Sequence, residues 1–137
     1  MQVWLGGWDS HTDLIGGHRN AASKADRPIA GLLKDLKQRG LLEETLVVWG
    51  GEFGRTIDTS RTNFDQKPGR DHNPGAMTMW FAGGGIRGGT IVGSSDELGD
   101  KAADSPYHLR DVHATLLHLF GLDQAKLTVL HGGRFKR

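Results

Sequence analysis

Asp9, His11 and Asp13 place two carboxylates and an imidazole at alternate positions in one short stretch. In an extended loop, alternate residues project to the same side, so the three side chains could converge on one cation. Carboxylate and imidazole donors without sulfur suit Zn, Mn or Fe, and with fewer histidines Mg or Ca. The plainer alternative is a solvated loop whose Asp side chains cap turns. Glu52 follows an apolar run and precedes Arg55 by three residues. It is either a metal ligand or the partner of Arg55. The Arg55 guanidinium in turn matches the oxygens of a phosphate or sulfate group in bidentate fashion, or forms a structural ion pair at the base of a loop. Asp71-His72-Asn73-Pro74 joins a carboxylate to an imidazole, a pairing used where a carboxylate orients a metal-bound histidine. The other histidines, His18, His108, His113, His118 and His131, read as surface or locally satisfied residues. The glycine-rich stretch 83–89 reads as a turn, because a phosphate-binding glycine loop needs a helix directly behind it.

These residues need a frame. Val3-Trp4-Leu5 reads as a short buried strand with a polar loop, 6–13, behind it. Ile29, Leu32, Leu33 and Leu36 recur at helical spacing, with Pro28 and Asp26 suited to the start of that helix and Gly40 to its end. Thr45–Trp49 is a continuous apolar, β-branched run of the kind covered on both faces, and Met77–Ala82 is a second. A helix leading into a buried strand is half of a βαβ unit. The expectation is therefore a mainly parallel sheet with ligands gathered beyond the carboxyl ends of its strands. Residues 50–76 read as one long polar loop, 90–92 as an edge strand, and Asp111–Leu119 as an amphipathic helix stopped by Gly121. Arg70-Asp71-His72 precedes a strand rather than following one, so the long loop must fold back to bring it to the site. The tail after Leu122 reads as short and polar.

Composition narrows the function. At 137 residues the chain has the size of a single domain, or part of one. A net charge of +1 and the absence of interleaved basic and aromatic residues argue against nucleic acid. No apolar run is long enough for a membrane helix, and no signal segment opens the chain. The absence of cysteine excludes disulfides, thiolate metal sites and cysteine nucleophiles. Twenty-one glycines are roughly double the ordinary share, which suits tight loops around a site in an α/β protein.

Five motifs then occur in order: Gly7-Trp8-Asp9-Ser10-His11, Gly51-Glu52-Phe53-Gly54-Arg55-Thr56, Gly69-Arg70-Asp71-His72, Ala82–Gly89 and Asp111–His118. The series resembles the carboxyl-terminal part of the DUF1501 proteins, a bacterial family abundant in planctomycetes and similar to sulfatases and alkaline phosphatases. The resemblance implies an alkaline-phosphatase-like three-layer α/β/α sandwich, present as a single α/β domain over residues 1–137 that is the carboxyl-terminal part of a larger one. It also implies a two-metal site. Asp9 with His11 or Asp13 would bind the first ion, together with His72. Glu52 stands where a carboxylate of the second ion would be, with Asp71 as a further candidate ligand, and Phe53 stands where that ion's histidine is expected.

The implied activity is metal-dependent hydrolysis of phosphate or sulfate esters, with a divalent Zn, Mn, Ca or Fe ion, Arg55 holding the ester oxygens and Glu52 serving as base or second-ion ligand. The superfamily's nucleophile lies on an amino-terminal strand that this sequence lacks. Little turnover is therefore expected of this chain alone, and export from the cytoplasm is expected only of full-length relatives. The alternative is a non-catalytic metal-binding or structural module. Exposed sheet edges at 3–5 or 90–92 predict self-association.

Overall fold

Residues 1–60 and 67–136 are described by a computed structural model, in which the chain divides into two compact units, Met1–Ser105 and Pro106–Arg137. The longest element of the first unit is helix α1 (Leu14–Gln38). Leu14, His18, Ala21, Ala25, Ile29, Leu33 and Leu36 recur at helical spacing and form its buried and half-buried stripe. The stripe thus begins well before Ile29, and the helix starts at Leu14 rather than near Asp26. Pro28 falls inside α1, where its missing N–H leaves one carbonyl of the preceding turn without a helical donor. The helix closes with the pattern expected of a glycine stop. Gly40, at φ 70°, donates to the Lys37 carbonyl at 3.1 Å, and Leu41 donates to that of Leu36 at 2.9 Å.

The strands of this unit pair in twos, always antiparallel. Strand β1 (Val47–Trp49) pairs with β4 (Trp80–Ala82), setting Trp49 opposite Trp80. Strands β2 (Gly54–Ser60) and β3 (Gly69–Asn73) form an arm in which Arg55 lies opposite His72. Short strands β5 (Ser94–Ser95) and β6 (Ala102–Asp104) make a third pair.

The fold is therefore mixed α/β, and no parallel pairing forms among the described residues. The expected parallel sheet fails for a connectivity reason. Parallel neighbours need a crossover, commonly a helix, between them, whereas an antiparallel arm and irregular chain join β1 to β4. Residues 3–5 form no strand, and Val3 and Trp4 are exposed. Residues 90–92 form none either. Much of the stretch read as a loop, 50–76, is instead the β2–β3 arm; positions 61–66 lie outside the described residues.

Two features hold the 6–13 segment in place. Trp8 packs edge-on against Trp49 at 5.9 Å and against His18 of α1 at 5.8 Å, while Trp49 stacks on Trp80. This aromatic group anchors the residue directly before Asp9 to both the helix and the β1–β4 pair. On the other side, Arg70 donates to the Ser10 carbonyl at 3.0 Å, Asp13 to that of Lys67 at 3.1 Å and Leu14 to that of Pro68 at 3.0 Å. The segment thus runs along β3. The contact is so close that a Cβ on buried Gly69 would overlap the His11 carbonyl, so only glycine fits there. Ala21 and Ala25 are the only buried apolar residues among those described.

In the second unit, helix α2 (Leu109–Leu119) begins with a capping box. The His108 ring accepts from Arg110 N–H at 3.1 Å, and Asp111 accepts from His108 N–H at 2.8 Å. Val112, Leu116 and Leu119 are half-buried, and none of its residues is buried. The tail, read as merely polar, pairs β7 (Val129–His131) with β8 (Arg134–Lys136) around Gly132-Gly133, both at positive φ, the chemistry of a tight hairpin. No helix of the described residues is long and apolar enough to cross a membrane.

Candidate metal centre

Three side chains from two segments meet at one point. Asp9 and His11 come from the segment held by Trp8 and β3, and His72 comes from β3 itself. Asp9 Oδ1 lies 3.0 Å from His11 Nε2 and 3.3 Å from His72 Nε2, and the two ring nitrogens are 3.2 Å apart. Two donors bound at about 2.0–2.1 Å to one tetrahedral ion lie about 3.3 Å apart. All three edges of the triangle fall within a few tenths of an ångström of that spacing. The set of two imidazoles and a carboxylate suits Zn, Fe or Mn better than Ca or Mg, which prefer oxygen. The donor set and its spacing therefore fit a divalent transition metal. Among the described residues, these three make up the one group of at least three such donors close enough to share an ion.

A second layer surrounds the triangle. Glu52 Oε1 lies 3.0 Å from His72 Nδ1 and accepts from Arg55 Nη2 at 2.8 Å. Arg55 Nη1 stands 2.6 Å from Asp9 Oδ1. That contact is a close ion pair without good hydrogen-bond alignment, since Nη1 is buried and has no well-directed acceptor. Asp71 Oδ1 lies 3.5 Å from His11 Nδ1 and accepts from the His72 backbone N–H at 2.7 Å. Phe53 packs edge-on against the His72 ring at 5.5 Å. Arg55 contact holds the Asp9 carboxyl below its ordinary range; partial desolvation opposes this, and the Arg55, His11 and His72 charges reinforce it.

The residues singled out from sequence divide accordingly. Asp9, His11 and His72 are brought together. Glu52, Arg55 and Asp71 stand around them, on the outer nitrogens or on Asp9. Asp13 goes elsewhere: it takes φ 46°, caps α1 by accepting from Gly16 N–H at 3.3 Å, and pairs with Lys67. Alternate projection holds for extended chain, and that geometry ends where the helix begins. Arg55 pairs with Asp9 at 2.6 Å and with Glu52 at 2.8 Å.

Reading residues 50–76 as a loop missed the β2–β3 register that sets Arg55 opposite His72. The β-branched residues Thr56, Ile57 and Thr59 are its one strand signal, and the polar residues around them outweigh it. Trp8 and Gly69, which position Asp9 and His11, fall inside two of the five motifs, but their positioning roles were not read from the sequence.

Fold and site together define a mixed α/β protein bearing a cluster of two histidines and a carboxylate. The chain belongs to the DUF1501 family, described as proteins of unknown function, whose profile matches residues 1–137. No curated protein and no solved structure matches it.

Proposed function

We propose that Asp9, His11 and His72 hold a divalent metal ion, and that the chain is the metal-bearing part of a hydrolase-like domain acting on phosphate or sulfate esters. The observation that carries the metal reading is the facing of three electron-rich atoms. Glu52 stands 3.0 Å from His72 Nδ1 and Asp71 3.5 Å from His11 Nδ1, on the side of each ring away from the triangle. The two Nε2 atoms face each other at 3.2 Å, hydrogen-bonded when one of them carries a proton, and lie 3.0 and 3.3 Å from Asp9 Oδ1. A divalent ion among them would take the place of that proton and draw on all three atoms at once. A bound ion would act as a Lewis acid toward an ester oxygen. The chain's own part is to hold the three donors, keep Asp9 ionised through Arg55, and fix the ring orientations.

The order of the five motifs, with Glu52 and Arg55 just beyond the end of β1, is what speaks for kinship with the alkaline-phosphatase-like sandwich. A second reading, a non-catalytic metal-binding module, is favoured by one observation. The Arg55 fork is taken up by Asp9 and Glu52, so it offers no free guanidinium to an ester.

Metal content by plasma mass spectrometry of the untagged chain, beside His72→Ala, tests the ion. Bound Zn, Fe or Mn in the parent and its loss in the variant supports the site. Equal metal in both, or none in either after incubation with these ions, overturns it. Binding of inorganic phosphate or sulfate by the metal-loaded chain, lost in His72→Ala, separates the hydrolase, whose site must hold an ester oxyanion, from the binding module.

A further inference from the structure

We infer that this centre takes a single ion, with the Arg55 guanidinium standing as the fixed positive charge where a second ion would have to sit, and with Glu52 and Asp71 acting as positioning residues for the two histidines. The inference rests on the metal reading above and departs from the two-metal site that the family resemblance implies. Its basis is how each carboxylate is engaged.

A second ion near Glu52 would have to draw on Asp9 and Glu52 together, and those two carboxylates already share one guanidinium. Nη1 is 2.6 Å from Asp9 Oδ1, and Nη2 is 2.8 Å from Glu52 Oε1. Arg55 is also the least exposed of these charged side chains, at 19% against 56% for Asp9 and 46% for Glu52, so it is the member least free to swing aside. The same Glu52 oxygen is 3.0 Å from His72 Nδ1, and Asp71 Oδ1 is 3.5 Å from His11 Nδ1. Both outer carboxylates therefore sit on the ring nitrogens facing away from the triangle. A carboxylate on that side favours the tautomer with its proton on Nδ1, through charge rather than an aligned hydrogen bond, and so favours Nε2 as the ligating atom.

Charge leads to the same number of ions. Three carboxylates and one guanidinium leave two negative charges around the triangle, which one divalent ion matches and two would overshoot.

The test is a zinc titration of the metal-stripped chain, with bound metal counted after equilibrium dialysis and referred to His72→Ala to remove surface binding. One equivalent is expected in the parent. Glu52→Gln should still bind one equivalent, with affinity lowered about 10–100-fold, the usual effect of losing a carboxylate behind a ligating histidine. Two equivalents in the parent, or an equivalent lost in Glu52→Gln, would overturn the single-ion arrangement and leave the metal reading standing. No binding in the parent would remove the metal reading itself. Should the variant not fold, nitrogen-15 imidazole spectra of the metal-free parent at mildly alkaline pH decide the role of Glu52. The His72 proton is expected on Nδ1, and finding it on Nε2 overturns that role.

Discussion

Asp9 carries more contacts through one oxygen than any other side chain of the centre, meeting Arg55, His11 and His72 at Oδ1. Folding lowers its pKa, chiefly through Arg55, so at mildly acid pH the folded chain holds fewer protons at this position than the unfolded one. The stabilisation it contributes is complete above the ordinary Asp value of about 3.9 and is lost as pH falls through the lower folded value. Arg55→Gln should move the Asp9 titration upward, read by carbon-13 carboxyl shifts; an unmoved titration would show that Arg55 does not set it. At this scale the sequence was largely readable. Asp9, His11 and His72 stood out by type, because few residue types ligate metals. The outer roles of Glu52 and Asp71 were not separable from ligand roles, since both use a carboxylate and only geometry tells which nitrogen it faces.

Helix α1 and strand β3 between them position the whole triangle. The helix begins one residue after Asp13, and β3 runs along the segment that carries His11. Asp13→Ala removes an N-cap and puts alanine at a left-handed φ, so it should cost about 1–2 kcal/mol in thermal or urea unfolding while leaving the metal equivalents unchanged. Loss of metal in that variant would return Asp13 to the ligands. Gly69→Ala should act in the opposite sense. Its Cβ would press on the His11 carbonyl, an overpacking worth about 1–3 kcal/mol, and the relief is a shift of His11 away from His72. Zinc affinity should fall steeply while far-ultraviolet circular dichroism retains the helical signal. Unchanged affinity would mean that the segment and β3 move together.

Elements with strong periodicity were legible, as the β1 run, the second half of α1 and the body of α2 show. The first half of α1 was hidden because Ala21 and Ala25 mark its buried face with small side chains that weaken the hydrophobic pattern. The β2–β3 arm was hidden because its polar residues match a loop by composition. Strand direction was hidden too, because a buried apolar run reads the same in parallel and antiparallel pairs.

Across the described residues, what stands out is how little is covered. Two alanines are the buried apolar residues described, while Val3, Trp4, Ile91, Val92, Leu130 and Phe135 are largely exposed. Apolar surface on this scale favours association, so light scattering should report a dimer or a larger species; a monodisperse monomer would overturn this. Val3, Trp4, Ile91 and Val92 remain exposed apolar surface even though neither stretch forms a strand. His11 and His72 meet across 61 positions of chain that contains no cysteine. Once the chain unfolds, those two rings separate and a shared ion lets go. An ion held only by the native form adds about 2.7 kcal/mol at a hundredfold excess over its dissociation constant, a large share of what so small a core can supply. Chelation should therefore lower the melting temperature and added zinc restore it, with His72→Ala indifferent to both. Folding and metal supply would then be a single equilibrium, with a melting temperature that climbs with the logarithm of the free ion.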